Sequence, residues 1–271
     1  MREIRLSAYF HHPAIVEFVG ISWLTLKDMS IVTEFMVNGD VYSVLRHQRQ
    51  LPSHDQWLRW YPLVAPDESD HKDQNGTSSI TLGFHSRVAS SPSKLSMALQ
   101  IAQALVYLHS MRVVHRDIKS QNVVLNTLFT AKLCDFGISR RISLLMTANK
   151  GTIAYMAPEV FQGSKYTERA DMYSFGVLLS EMDKLDSPYV GELDDIDSDV
   201  TFPEAKIALM VAEGSLKPQF TKAMPSEILH LATSCLAFDP SLRPSAEQVA
   251  DELSRLIQHH RAASIVQSDV V

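Results

Sequence analysis

Two short apolar runs near the start of the chain have the composition of β-strands. Residues 15–21 and 29–33 are rich in β-branched and aromatic side chains and are joined by a polar turn, which predicts an antiparallel pair. Before them, the apolar positions of residues 1–10 run into Pro13, where a helix is expected to stop. After them, Asp40 is of the residue type that caps the start of a helix. The pattern predicts the end of one helix, a β-hairpin and the start of a second helix.

Helical periodicity dominates the rest of the chain. Apolar residues recur at helical spacing over residues 95–110, which predicts a long buried helix. Residues 171–179 are apolar on all sides, as is typical of a central core helix. Amphipathic stripes over residues 226–237 and 246–258 predict two further helices, and residues 259–271 are expected to form a tail.

One long segment shows no period. Ser, Asp, His, Asn and Gly are concentrated over residues 67–93, which is the composition of a loop. A loop of more than about 30 residues is uncommon inside a compact domain. Residues 61–92 are therefore interpreted as an insertion, or equally as an untranslated piece retained in the gene sequence.

Composition narrows the class of protein. At 271 residues and 45% hydrophobic, the chain is large enough to bury a full core. Its net charge of −6 argues against nucleic acid as a partner. No apolar stretch reaches the roughly 18 residues of a membrane span, and the N-terminus lacks the apolar core of a signal peptide. We expect a cytoplasmic protein without a membrane segment. Cys134 and Cys235 are too few for a disulfide scaffold and are expected to be free thiols.

Three motifs occur in a fixed order along the chain. They are HRDIKSQN at residues 115–122, DFG at residues 135–137 and APE at residues 157–159. Together they are typical of the catalytic loop, the metal-binding turn and the end of the activation segment of a protein kinase. The chain resembles the eukaryotic protein kinase family from about Glu3 to about Leu256.

The resemblance implies an α+β fold with two lobes. A kinase domain would cover residues 1–258, with the insertion at about 61–92 inside it and the tail after it. Its C-lobe would be mainly helical, and its N-lobe would contain only the last helix turns and two strands. The sequence contains neither the Gly-rich loop nor the strand lysine of the family. Tyr173, where many serine/threonine kinases have tryptophan, indicates the tyrosine-kinase-like group.

The resemblance also implies a reaction, the transfer of the γ-phosphoryl group of ATP. Asp117 would accept the proton of the attacking hydroxyl, and Lys119 would contact the γ-phosphate. Asn122 and Asp135 would hold Mg²⁺. Lys119 is typical of serine/threonine kinases, so the expected partners are protein substrates bearing Ser or Thr.

The family's adenine site maps onto the second predicted strand and the residues after it. Thr33 would be the gatekeeper, and the hinge segment, residues 34–36, would offer backbone groups of Glu34 and Met36 to adenine. Asp40 would meet the ribose, and Val124 would pack against the adenine face.

Several further residues are expected to support this site. Glu159 and Arg243 resemble the family's buried ion pair, and Asp171 resembles the residue that anchors the catalytic-loop backbone. Thr152 would hydrogen-bond the catalytic Asp and Lys. Glu3 has the position of the helix glutamate that pairs with the strand lysine, but without that lysine a solvated glutamate is the alternative.

Control by phosphorylation is a further expectation. In related kinases, an arginine at the position of Arg116, directly before the catalytic Asp, binds a phosphate on the activation segment. Thr147 is the preferred acceptor and Ser143 the second, because Thr152 is committed to the catalytic pocket. An upstream activating kinase would then be a partner. The alternative is that both are ordinary solvent-facing residues.

Two functions from different classes follow. The first is a protein serine/threonine kinase acting in signal transduction, which the retained Asp117, Asn122 and Asp135 favour. The second is a catalytically silent pseudokinase or scaffold, which the missing strand lysine favours.

Overall fold

The N-terminal part of the structure is a β-hairpin. In the computed structural model, which describes residues 8–25, 29–62, 92–135, 152–164, 166–189 and 203–268, β1 (Phe18–Ser22) pairs antiparallel with β2 (Ser30–Thr33). This confirms the predicted pair. The first strand begins later than predicted, because Ile15 forms a parallel bridge with Leu133 of a different sheet.

A second hairpin lies directly after the catalytic motif. A 3₁₀ turn (Ser120–Asn122) leads into β3 (Val123–Leu125), which pairs antiparallel with β4 (Ala131–Leu133). The segment before β1 and the segment after β2 both attach to this sheet. The Val16 N–H donates to the Leu133 carbonyl at 2.9 Å, and the Leu125 N–H donates to the Gly39 carbonyl at 2.8 Å. The first hairpin is therefore anchored at both of its ends on the second.

Two helices flank the hairpins, and each begins at a polar cap. The first, α1 (Val41–Gln50), is capped by Asp40, whose Oδ1 accepts the Ser43 N–H at 2.7 Å. The second, α2 (Lys94–Ser110), begins at Ser93 with a capping box that also uses Ser96. The start of α1 agrees with the predicted Asp40 cap, and α2 begins one residue before the predicted stretch, at a Ser93 cap that was not predicted.

The remaining described residues are mainly helical. The helices are α3 (Pro158–Phe161), α4 (Glu168–Lys184), α5 (Pro203–Ala212), α6 (Ser226–Cys235) and α7 (Ala246–Ser268). The last helix continues past Gln258 through most of the segment expected to be a tail. Two small two-stranded sheets and several helices among the described residues confirm the predicted α+β fold.

The core surrounds two central helices. Helix α4 is buried at every position from Ala170 to Asp183, as its all-round apolar pattern predicts. Helix α2 packs against α7, α4 and β4. The catalytic loop, which connects α2 to β3, is therefore held between packed elements of the core. Within the described residues, every helix is too short or too polar to span a bilayer.

Some predicted features lie outside the described residues. They include Glu3 with the rest of residues 1–7, the turn at residues 26–28, Phe136 and Gly137 of the DFG motif, Ser143, Thr147 and residues 63–91, which make up most of the predicted insertion.

Candidate active site

Asp117, Lys119 and Thr152 form a chain of polar contacts at the centre of the catalytic loop. The Lys119 Nζ donates to Asp117 Oδ2 at 2.8 Å and to Thr152 Oγ1 at 3.0 Å. Lys119 and Thr152 are both buried. The sequence separates these residues by up to 35 positions, and the fold brings them into direct contact.

The two carboxylate oxygens of Asp117 have different surroundings. Asn122 Nδ2 donates to Asp117 Oδ2 at 2.9 Å and to the Asp117 carbonyl at 2.8 Å. Asp117 Oδ2 thus accepts from both Lys119 and Asn122. Asp117 Oδ1 is buried and has no hydrogen-bond partner among the described residues. A buried acceptor without a donor is costly, so this oxygen is suited to bind the hydroxyl of another molecule.

Asp135 follows β4 at the edge of the same site. Its side chain is exposed, and its backbone has a left-handed φ of 54°. The preceding residue fixes its position, because the Cys134 N–H donates to the Asn122 carbonyl at 3.0 Å. Cys134 O also lies 3.2 Å from His115 Nε2. Burial raises the pKa of the Cys134 thiol to about 12, so it is a protonated free thiol at neutral pH.

Asp171 supports the loop from helix α4. Its Oδ2 accepts the His115 N–H and its Oδ1 accepts the Arg116 N–H, both at 2.8 Å. His109 Nε2 lies 2.9 Å from Asp171 Oδ2. Arg116 has a left-handed φ of 72°, which is uncommon for a residue other than glycine. Its side chain is exposed and makes no ion pair with another described residue.

Glu159 and Arg243 form a bidentate ion pair beneath the end of the activation segment. The two Nη atoms of Arg243 donate to Glu159 Oε1 and Oε2 at 2.7 and 2.8 Å. The remaining donors of Arg243 reach backbone carbonyls, including that of Ala237 at 2.8 Å. Its guanidinium also lies 5.0 Å from the ring centre of Tyr173. Every face of this buried charge is occupied, as a buried ion requires.

The predicted nucleotide residues lie where the two hairpins meet. Asp40 and Val124 form a β-bridge, and the Val124 side chain is half-buried, whereas its neighbours in β3 are buried. Asp40 Oδ1 is used to cap α1. In the hinge segment, the Glu34 carbonyl and the Met36 N–H make no hydrogen bond to another described residue, so both are available to a ligand.

One buried group near the catalytic loop was missed by the sequence analysis. Glu181 of α4 accepts hydrogen bonds from Ser120 Oγ at 2.7 Å and from Tyr155 Oη at 2.6 Å. Burial raises the pKa of Glu181 to about 7, although the two hydroxyl donors lower it. The available signal was a carboxylate just after the apolar run at residues 175–179 of a helix predicted to be central, since a carboxylate in such a helix is buried only when it has partners.

The described residues supply only some of the ligands that a Mg²⁺ ion needs. Among the described residues, no group of three or more His, Cys, Asp or Glu side chains converges as a metal site would need. Asn122 turns its amide nitrogen toward Asp117, which leaves its amide oxygen for another partner. One amide oxygen and the exposed carboxylate of Asp135 suit Mg²⁺, which is commonly held by one or two protein ligands together with phosphate oxygens and water.

Comparison with known proteins also indicates a protein kinase. The sequence model of the protein tyrosine and serine/threonine kinase family matches residues 1–253. The chain is 31% identical to mitogen-activated protein kinase kinase kinase 7 of Homo sapiens over 265 residues, which is 96% of this chain and 36% of that protein. It is 41% identical to a probable LIM domain-containing serine/threonine-protein kinase of Dictyostelium discoideum over 165 residues, 60% of this chain and 16% of that protein.

The chain therefore belongs to the protein kinase family. Two of its relatives are described as probable serine/threonine-protein kinases, and the relatives are consistent with the tyrosine-kinase-like group. The chain spans little more than a third of the length of the first of these relatives, with 36% to 38% covered.

Proposed function

We propose that this domain transfers the γ-phosphoryl group of ATP to serine and threonine hydroxyls of protein substrates. The observation that carries the proposal is the asymmetry of Asp117. Two donors fix its Oδ2, while its Oδ1 is buried without a partner. A substrate hydroxyl that donates to Oδ1 would satisfy this atom and would be oriented for attack.

The proposed reaction moves one phosphoryl group and one proton. The substrate oxygen forms a bond to the γ-phosphorus, the bond from that phosphorus to the bridging oxygen breaks, and ADP leaves. Asp117 Oδ1 accepts the hydroxyl proton. Lys119, which already lies between Asp117 and Thr152, is placed to contact the transferred group. Thr152 fixes the position of the Lys119 ammonium.

ATP and Mg²⁺ are the proposed cofactors. Asn122 and Asp135 would hold Mg²⁺, which when bound neutralises charge on the phosphates. Glu34 and Met36 would bind the adenine edge through their backbone groups, and Val124 would pack against its face. Asp40 retains one carboxylate oxygen that is not needed for the helix cap, and this oxygen suits the ribose.

Regulation by an upstream kinase is part of the proposal. Arg116 is exposed and makes no ion pair with another described residue, which suits it to receive a phosphate. Thr147, and after it Ser143, are the proposed acceptors. A kinase controlled in this way would act in signal transduction, in the cytoplasm where ATP and protein substrates are present.

The test is a transfer assay followed by identification of the labelled amino acid. The protein, expressed with any coding sequence that precedes Met1 in frame, is incubated with Mg²⁺, γ-labelled ATP and a generic protein substrate. We expect label on phosphoserine and phosphothreonine. Label on tyrosine alone would overturn the serine/threonine assignment. Nucleotide binding without any phosphoryl transfer would overturn the proposal that the domain is an enzyme and would favour a catalytically silent scaffold.

A further inference from the structure

The Glu34 carboxylate joins three segments of the chain, which are the residue before β1, the start of the hinge segment and strand β4. Its Oε1 accepts a hydrogen bond from Lys132 Nζ at 2.6 Å and another from the Glu17 N–H at 2.8 Å. The Glu34 N–H donates in return to the Glu17 carbonyl at 3.0 Å. Both the backbone and the side chain of Glu34 are therefore fixed at the start of the hinge segment.

Lys132 connects the Glu34 carboxylate to the strand pair of β3 and β4. It lies in β4 directly opposite Val124 of β3, and opposed residues of antiparallel strands place their side chains on the same face. Val124 is in turn bridged to Asp40. The ion pair thus ties the hinge segment to the strand pair that carries Val124, with no intervening flexible residue.

The hinge segment has few other anchors. The side chains of Phe35 and Val37 are 86% and 51% exposed, so apolar packing contributes little to their position. The next fixed points are the Met36 carbonyl, which accepts the Gly39 N–H at 3.1 Å, and Asn38, whose N–H donates to the Leu125 carbonyl at 3.1 Å. These contacts fix Met36 on its C-terminal side and Glu34 fixes the segment on its N-terminal side, so the position of the Met36 N–H depends on both.

The Glu34–Lys132 pair is partly shielded from water. The Lys132 and Glu34 side chains are 15% and 26% exposed. Burial would raise the pKa of Glu34, but the hydrogen bonds from Lys132 and from the Glu17 N–H outweigh it and lower this pKa. The carboxylate is therefore charged at neutral pH, and its bond to Lys132 is a short charge-assisted one.

We propose that Lys132 and Glu34 are positioning residues for the adenine ring. Their ion pair fixes the Glu34 carbonyl and the Met36 N–H at the spacing that a purine edge requires, so it sets nucleotide affinity without taking part in phosphoryl transfer. This inference rests on the proposed function, because it assumes that adenine lies between the hinge segment and Val124.

The experiment compares Lys132→Met with two matched variants. Lys132→Arg keeps the positive charge at the same position. Lys222→Met removes an exposed lysine that is distant in sequence from Glu34 and Lys132 and makes no contact with them. Binding of adenosine and of Mg²⁺-ATP is measured by calorimetry, and KM for ATP and kcat are measured separately. Thermal unfolding of each variant is recorded first, and Lys132→Gln replaces Lys132→Met if the latter unfolds early.

We expect Lys132→Met to weaken binding of adenosine and ATP by the same factor, about tenfold. KM for ATP should rise to match, with kcat within roughly twofold of the wild type. Lys132→Arg and Lys222→Met should behave as the wild type, and adding Glu34→Gln to Lys132→Met should cause no further loss.

Unchanged adenosine binding in Lys132→Met would overturn the inference, as would a lower kcat at unchanged KM. The two claims are separable. A wild-type protein that binds adenosine but transfers no phosphate would refute the proposed function, while the adenosine measurements would still decide the role of the ion pair.

Discussion

Asp171 holds the backbone of Arg116 in a left-handed conformation. Asp171 Oδ1 accepts the Arg116 N–H at 2.8 Å, and Arg116 has a φ of 72°. Such a conformation is unfavourable for a non-glycine residue and persists where surrounding contacts impose it. Because Asp117 follows directly, the buried carboxylate of α4 constrains the backbone that carries the proposed catalytic carboxylate.

Asp171→Asn should therefore damage catalysis and stability together. The amide retains one acceptor but turns a donor toward a backbone N–H, so we expect the free energy of unfolding to fall by about 2 kcal/mol or more. Misplacement of Asp117 should lower kcat on the order of 100-fold. Chemical denaturation and steady-state kinetics measure both, and Asp251→Asn on the exposed face of α7 is the control. A wild-type kcat in Asp171→Asn would show that the loop does not depend on this anchor.

Glu159→Gln should be among the most destabilising single changes in the domain. It leaves the Arg243 guanidinium buried without its bidentate partner, at an expected cost of about 3 kcal/mol or more. The exposed pair of Glu252 and Arg255 is the matched control, and Glu252→Gln should cost less than about 1 kcal/mol. Urea unfolding of both variants makes the comparison. Equal losses would mean that the buried pair contributes no more than a surface one.

Stability should depend on pH through Glu181. Its folded-state pKa of about 7 lies above the ordinary 4.5, so the folded state binds the extra proton and is favoured at low pH. This contribution is complete below about 4.5 and is lost as the pH rises toward about 7. Glu181→Gln cannot ionise, so its stability relative to the wild type should increase over this interval by about 3 kcal/mol.

Urea denaturation from pH 4.5 to 7.5 measures the difference between the Glu181→Gln variant and the wild type. The exposed Glu213→Gln variant serves as the control and should show no such trend. A constant difference for Glu181→Gln would show that folding does not raise the pKa of Glu181.

The predicted insertion should be removable. The Lys94 N–H donates to the Arg59 carbonyl at 2.8 Å, and the Leu95 N–H donates to the Trp60 carbonyl at 3.2 Å, so the chain before and after residues 63–91 is already joined. Replacing residues 63–91 by a short Gly-Ser linker should preserve the fold and raise stability by about 1–2 kcal/mol through loop closure. Thermal unfolding and kinetics measure this. A variant with residues 63–91 shuffled at constant length is the control, and loss of folding on replacement would contradict the interpretation as an insertion.

Elements with a repeating pattern or a capping residue were predictable. The stretch at residues 171–179 that predicted α4 is mostly apolar, and Asp40 is of the type that starts a helix, so these two elements could be located from local sequence. The contacts around Asp117 could be anticipated for a different reason. The residues involved lie in short motifs whose order along the chain is specific, although contacts such as Lys119 to Thr152 join distant segments.

Contacts that depend on the folded arrangement alone were not predictable. Strands β3 and β4 have three residues each, too few for a period to appear. Gln48 is buried in α1 because its side-chain oxygen accepts the N–H groups of Trp57 and Leu58, both at 3.0 Å. No apolar pattern indicates such a residue. Lys132 reaches Glu34 across 98 positions of sequence, and neither residue belongs to a motif that would join them.

The central claim is that Asp117 accepts the proton of a substrate hydroxyl. The most direct measurement is the rate of γ-phosphoryl transfer from ATP to a serine peptide by Asp117→Asn, compared with the wild type and with Asp251→Asn. The substituted amide keeps the shape of the side chain but cannot accept the proton at the same strength. We predict that kcat falls by on the order of 100-fold or more with nucleotide binding unchanged, measured at a temperature at which the variant is fully folded, since loss of the Lys119 ion pair lowers its stability. A kcat equal to that of the wild type would contradict the account.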